Sequence, residues 1–192
     1  MQPKKTLLVI YYSVTGGTEQ MARALIKGVK DAAVEDTLVA KIKLAPETLP
    51  EDVLTASAYV FATPENLGAV SGLMKDFFDR CYYPALDKIN GRPYATMICA
   101  GSDGQNAARQ IERITTGWRL RAIADPLIVC THAQTAEAIL SPKTISAEDL
   151  LRCEAFGSLM ANGLALGVFY FTMTPAPKFA GLRYSPIQQV YQ

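Results

Sequence analysis

The sequence predicts an α/β fold of three layers, a five-stranded parallel sheet with helices on both faces. Short apolar runs rich in Val, Ile, Tyr and Phe, at 7–12, 58–62, 94–100 and 126–130, have the length and composition of strands buried on both sides. Amphipathic stretches with helical spacing alternate with them, and strand–helix alternation of this kind needs right-handed crossovers and so a parallel sheet.

The first strand, Leu7-Leu8-Val9-Ile10-Tyr11-Tyr12, runs straight into Ser13-Val14-Thr15-Gly16-Gly17-Thr18. Met21, Ala22, Leu25, Ile26 and Val29 then give a helix over 18–33 one apolar face. Residues 36–44 alternate as a second strand, Pro46 and Pro50 punctuate a loop, and the third strand is expected to break at Thr63-Pro64. A long loop leads to a helix over 71–82; it either directs its backbone groups at a ligand or is a plain connection ending in a Ser71 cap. The fourth strand passes through Gly101-Ser102-Asp103-Gly104 into a helix ending near 116, with Ser102 or Asp103 as its cap. The fifth strand is 126–130, and Ser146-Ala147-Glu148-Asp149 signals the start of a last helix reaching 166. Five such strands take the order 2-1-3-4-5, which places a ligand crevice beyond the carboxyl ends of strands one and three. The loops after strands one, three and four are therefore the ones expected to carry chemistry.

At 192 residues and 49% hydrophobic, the chain suits one domain over 1–167. Residues 168–192, rich in Phe, Tyr and Pro without helical period, form a C-terminal arm expected to pack on the body or on a partner subunit. Nineteen basic and eighteen acidic side chains cancel, so no basic field points to nucleic acid. The longest apolar stretch is too short for a membrane span. Four scattered cysteines offer no metal spacing, and the start of the sequence lacks signal-peptide character, so a cytoplasmic location is expected.

In the first loop, adjacent glycines let successive N–H groups converge on one anion, and the following helix adds its free amides and dipole. No Lys or Arg lies between Lys5 and Arg23, so these donors are neutral, and neither Gly-Lys-Ser/Thr nor Gly-x-Gly-x-x-Gly is present. Ser, Thr and Gly also cap helices, so the residue types alone leave a purely structural turn open. Ser13, Thr15, Gly16 and Thr18 fill the pattern Ser/Thr-x-Thr-Gly-x-Thr, and the segment resembles the phosphate loop of the flavodoxin superfamily. Thr63-Pro64-Glu65-Asn66-Leu67-Gly68, followed by Ser71-Gly72-Leu73-Met74-Lys75-Asp76-Phe77-Phe78-Asp79-Arg80, is similar to a second signature, that of the NAD(P)H-dependent FMN reductase and quinone reductase branch. Leu67 stands where that branch often has an aromatic residue.

The resemblance implies the flavodoxin-like fold, FMN as cofactor, NADPH or NADH as electron donor, a small-molecule acceptor and a homodimer or higher homo-oligomer. It assigns Ser13, Val14, Thr15, Gly16, Gly17 and Thr18 to the FMN phosphate. Thr63, Pro64, Glu65, Asn66, Leu67 and Gly68, with Gly101, Ser102, Asp103 and Gly104, fall to the ring. Flavin carries the hydride chemistry, so no catalytic acid or base is required. His132, the sole histidine, lies past strand five, a position equally suited to the site or to solvent. Two function classes follow: an NAD(P)H-dependent oxidoreductase reducing a quinone, free flavin or other small acceptor, and a flavodoxin-type single-electron carrier between protein partners. The near-neutral charge favours the reductase, because an acidic rim would repel the nicotinamide phosphates, for which Arg80, Arg109 and Arg113 are candidates. A flavin-free binding module is disfavoured by the intact hydroxyls of Ser13, Thr15 and Thr18.

Overall fold

Strand β1 (Lys5–Tyr11) lies in the interior of the sheet, and its alternate side chains enter two different cores. Leu7, Val9 and Tyr11 face one layer, whereas Leu8 and Ile10 face the other. The computed structural model describes residues 4–170, so the expected C-terminal arm lies outside the described residues from 171 onward.

β1 pairs in parallel with β2 (Leu38–Leu44) on one side and with β3 (Ala58–Asn66) on the other. β3 also pairs antiparallel with the two-residue β4 (Ala69–Val70) and parallel with β5 (Pro93–Ala100). The far edge of β5 is covered first by β6 (Arg121–Ala122) and then by β7 (Leu127–Cys130). The sheet thus has seven strands rather than the five expected. Its parallel rows still follow the expected order, since β6 and β7 share one row and β4 is a hairpin arm of β3. Pro126, which has no N–H to give the ladder, lies in the gap that divides that row.

Helices α1 (Gly17–Asp31) and α6 (Ala147–Leu166) form one outer layer. They cross closely: a Cβ on Gly28 would stand 1.8 Å from the Glu154 carbonyl oxygen, and one on Gly157 would stand 2.0 Å from that of Leu25. Ser158 Oγ donates to Gly28 O at 2.8 Å across the same contact. The other face carries α2 (Pro50–Thr55), α3 (Gly72–Ala85) and α4 (Gln105–Gly117) over an aromatic cluster. There Phe61 meets Phe78 at 4.9 Å between ring centres and Tyr94 at 5.9 Å. Of the apolar face of α3, Met74, Phe77, Phe78 and Cys81 are core, while Leu73 is exposed.

Three local expectations are corrected. β3 does not stop at Thr63-Pro64 but runs to Asn66: Pro64 lies beyond the last β1 partner of β3 and pairs only with Cys99, so its missing N–H breaks no bond to β1. Pro50 does not merely punctuate a loop; it opens α2, since a proline in the first helical turn lacks only an N–H that would have no partner there. Ser71 precedes α3 without capping it by its side chain, because its Oγ is 2.9 Å from Thr63 Oγ1. Ser146 does cap α6, accepting the Asp149 N–H at 3.0 Å. Among the described residues no helix is long and apolar enough to cross a membrane, and no group of acidic, His and Cys side chains could hold a metal ion.

Candidate functional site

A cleft of about 250 Å³ opens beyond the carboxyl ends of β1, β3 and β5, where the strand order reverses. Its floor is the turn from β1 into α1. Gly16 precedes the helix with φ +83°, a left-handed conformation that a side chain would strain, and Gln20 N–H donates to Gly16 O at 3.1 Å as the helix begins. The amides of Gly17, Thr18 and Glu19 have no acceptor within the helix, as in any first turn. Gly17 is needed for space instead: a Cβ there would stand 2.7 Å from Cys99 Sγ and 3.3 Å from Lys143 Cβ.

The hydroxyls of Ser13 and Thr18 are buried in this turn without a hydrogen-bond partner. The Thr18 hydroxyl lies close enough to Cys99 to favour its thiolate slightly, yet the approach falls short of a hydrogen bond. Burial dominates and pushes the Cys99 thiol up to about 11, so it is neutral at physiological pH. Unpartnered buried hydroxyls are costly, roughly 1–3 kcal/mol each, unless a ligand accepts from them. Two such hydroxyls beside three free amides and the positive end of a helix dipole are the donor set that a phosphate monoester takes.

The second wall is the β3–β4 hairpin, paired through Glu65–Val70 and Asn66–Ala69. Its turn residues Leu67 and Gly68 both have positive φ, +52° and +69°, the signature of a two-residue type I′ turn. Leucine is poorly suited to that conformation, and Leu67 is fully exposed at the tip. α4 braces the hairpin: Asn106 Nδ2 donates to Gly68 O, and Gln110 Oε1 accepts the Val70 N–H at 3.0 Å.

Neither Ser102 nor Asp103 caps α4. The residue before the helix is Gly104, at φ +78°, and its N–H donates to Glu65 Oε2 at 2.8 Å. Glu65 thus reaches across from β3 to satisfy the amide just before the helix, while Ser102 and Asp103 are exposed. The other oxygen of Glu65, Oε1, is buried without a partner in the same cleft.

Of the residues expected to bind the cofactor, Ser13, Val14, Thr15, Gly17, Thr18, Pro64, Glu65, Asn66 and Gly101 line the cleft together. Gly16 shapes the turn, Thr63 is buried behind the hairpin, and Leu67 and Gly68 form its tip. His132 is exposed with φ +55°, while its neighbours Thr131 and Ala133 line the cleft. Arg80 is committed elsewhere, donating to Thr48 O at 3.1 Å and Ala45 O at 3.0 Å, and so is removed from the candidates for a nicotinamide phosphate.

Sequence reasoning missed the third wall, α5 (Ala136–Leu140) and the segment after it. Ile139, Leu140 and Lys143 line the cleft from this side. Gln20 fastens the segment down: its Nε2 donates to Lys143 O at 2.6 Å over a separation of 123 residues, and its Oε1 accepts the Ile145 N–H at 3.2 Å. Lys143 N–H donates to Thr15 O at 2.7 Å. Among the described residues that line the cleft, Lys143 carries the one positive charge and Glu65 the one negative charge.

A sequence profile of the NADPH-dependent FMN reductases matches residues 14–134, from the turn after β1 to the loop after β7. The chain belongs to the NADPH-dependent FMN reductase family. FMN and a nicotinamide electron donor, the expected cofactors, agree with this family. The chain is 35% identical over 98 residues to a flavodoxin of Aquifex aeolicus (strain VF5), covering 51% of each protein. It is also 35% identical over 136 residues to an NAD(P)H dehydrogenase (quinone) of Brucella ovis, covering 60% of this chain and 65% of that protein. The matches thus span between half and two thirds of the length of these curated relatives. Among solved structures, a flavodoxin from the domain Archaea superposes with a TM-score of 0.65 at 15% identity, covering 83% of this chain and 98% of that one. At that identity the likeness shows the shared flavodoxin-like fold.

Proposed function

We propose that this member of the FMN reductase family holds FMN in the cleft and passes electrons from NADPH or NADH to a small acceptor such as a quinone or a free flavin. The observation that carries the reading is the pair of buried, unpartnered hydroxyls, Ser13 Oγ and Thr18 Oγ1, beside the free amides of α1. They suit the FMN phosphate, and the space between the β3–β4 hairpin and Gly101 suits its flat ring. When bound, FMN supplies hydride acceptance and onward electron donation. The chain supplies position, with the hairpin held by Asn106 and Gln110 and the phosphate turn held by Gln20. No side-chain acid or base is needed for that exchange, which accords with an exposed His132.

The second reading, a single-electron carrier, draws on the likeness to the Aquifex flavodoxin. Charge weighs against it: one glutamate and one lysine at the cleft leave a rim that admits an anionic dinucleotide. Anaerobic addition of NADPH to the FMN-loaded protein separates the two. Bleaching of the flavin absorbance within turnover times supports the reductase. A flavin reduced by dithionite but not by NADPH or NADH would establish the carrier, and failure to bind FMN would overturn both.

A further inference from the structure

We propose that Lys143 is the cation of the phosphate site, a specificity residue that makes the cleft prefer a phosphorylated flavin over the same flavin without phosphate. The proposal rests on reading the cleft as an FMN site, and it adds a charge that the phosphate turn itself lacks, since no Lys or Arg occurs between Lys5 and Arg23.

The placement of Lys143 is over-determined. Its N–H is bonded to Thr15 O at 2.7 Å and its carbonyl to Gln20 Nε2 at 2.6 Å, so its backbone is tied to the turn that holds the orphaned Ser13 and Thr18 hydroxyls. Its Cβ lies against Gly17, the first residue of α1. The ammonium donates to the carbonyls of Ala138 at 2.5 Å, Ile139 at 2.9 Å and Ser141 at 2.6 Å, at the carboxyl end of α5.

These contacts have two electrostatic consequences. Carbonyl oxygens are neutral partners, so the full positive charge survives, and none of the ion pairs among the described residues includes Lys143. Lys27, Lys43, Lys75 and Arg80, by contrast, are each paired with a carboxylate. The ammonium also covers oxygens whose partial negative charge would repel a dianion beside the turn. Because the side chain is already pinned, binding an anion orders nothing further in it. The field reaches the turn: the Lys143 charge draws the Cys99 thiol downward, against the larger upward push of burial, and Cys99 lies directly beneath Gly17. Lys143 lies outside residues 14–134, the span matched by the family profile, so the charge comes from a part of the chain the profile does not describe.

The test compares FMN with riboflavin, which share the ring and differ in the phosphate. The full chain, stripped of flavin, is titrated with each by fluorescence quenching, as wild type, Lys143→Gln and Lys143→Arg, at low and high salt. Gln keeps donors for the α5 carbonyls without the charge. The expected result is a loss of about tenfold in FMN affinity for Lys143→Gln, with riboflavin changed by less than about twofold, and recovery in Lys143→Arg. The salt dependence of FMN binding flattens in the Gln variant. An unchanged FMN-to-riboflavin ratio in Lys143→Gln overturns the proposal, as does an equal loss for both flavins, which would mark a purely structural latch. A wild type that binds neither flavin overturns the reading of the cleft itself, and the proposal with it.

Discussion

Replacing Gly17 by alanine isolates what the floor of the cleft demands. The added Cβ would stand 2.7 Å from Cys99 Sγ, 3.3 Å from Lys143 Cβ and 3.5 Å from Ile145 Cδ1. Favourable contact between heavy atoms begins at about 3.5 Å, so the sulfur must retreat by nearly an ångström. It has little room to do so, because Cys99 is in the middle of the sheet, paired with Pro64 on one side and Val129 on the other. Overpacking of this kind costs about 1–3 kcal/mol. Gly17 is not in the left-handed region, so alanine regains roughly 0.5–1 kcal/mol of backbone entropy, and a net loss of about 1–2 kcal/mol is expected. Cys99→Ala removes the obstructing atom, so the double variant should be little less stable than Cys99→Ala alone, a coupling of at least about 1 kcal/mol. Gly16→Ala is the contrast: its Cβ meets only Gln20 Nε2, at 3.7 Å, and its cost of roughly 1–2 kcal/mol comes from φ +83°. Cys99→Ala should leave that cost unchanged. Urea denaturation of the three single variants and the two double variants with Cys99→Ala measures all of these terms. Additivity of Gly17→Ala with Cys99→Ala to within about 0.5 kcal/mol would refute the packing argument.

Thr18→Val should stabilise the flavin-free chain by roughly 1 kcal/mol, since it removes a buried hydroxyl that has no partner, yet weaken FMN binding by about 1.5–3 kcal/mol. Paired denaturation and FMN titrations check the opposite signs. Leu67→Asn should stabilise the chain by roughly 0.5–1 kcal/mol, because asparagine tolerates the left-handed conformation at the hairpin tip, and a fall in denaturation midpoint would contradict the turn geometry. The thiols of Cys81, Cys99 and Cys153 are pushed by burial from 9.0 up to about 11, 11 and 12. The unfolded chain therefore releases these protons at lower pH than the folded one. Their contribution to stability is intact below pH 9 and is lost as the pH rises toward 11–12, at about 1.4 kcal/mol per thiol per unit. Urea midpoints that stay level from pH 8.5 to 10.5 would contradict it.

Much of the architecture was legible because its signals are local. The run from Leu7 to Thr18 holds a buried strand, a glycine turn and a helix start within a dozen positions, and the structure keeps all of them in place. Where proline was read as a stop, the reading failed twice for the same reason. Whether a missing N–H matters depends on what lies opposite: Pro64 has no β1 partner, and Pro50 sits in a helical turn whose amide needs none.

The sequence by itself determined the strand–helix alternation, the glycine turn without a basic side chain and the crevice beyond β1 and β3, since periodicity and turn chemistry belong to neighbouring residues. The tertiary structure alone decided how that crevice is finished. Glu65 reaches from β3 to the amide of Gly104, the residue that precedes α4. Cys99 dictates a glycine at position 17, and a lysine from beyond α5 brings charge to a turn that has none of its own. Each of these depends on which backbones the sheet order brings to one end. Electrostatic and steric forces act across a few ångströms of space, whereas partners such as Gln20 and Lys143 are separated by 123 residues of chain.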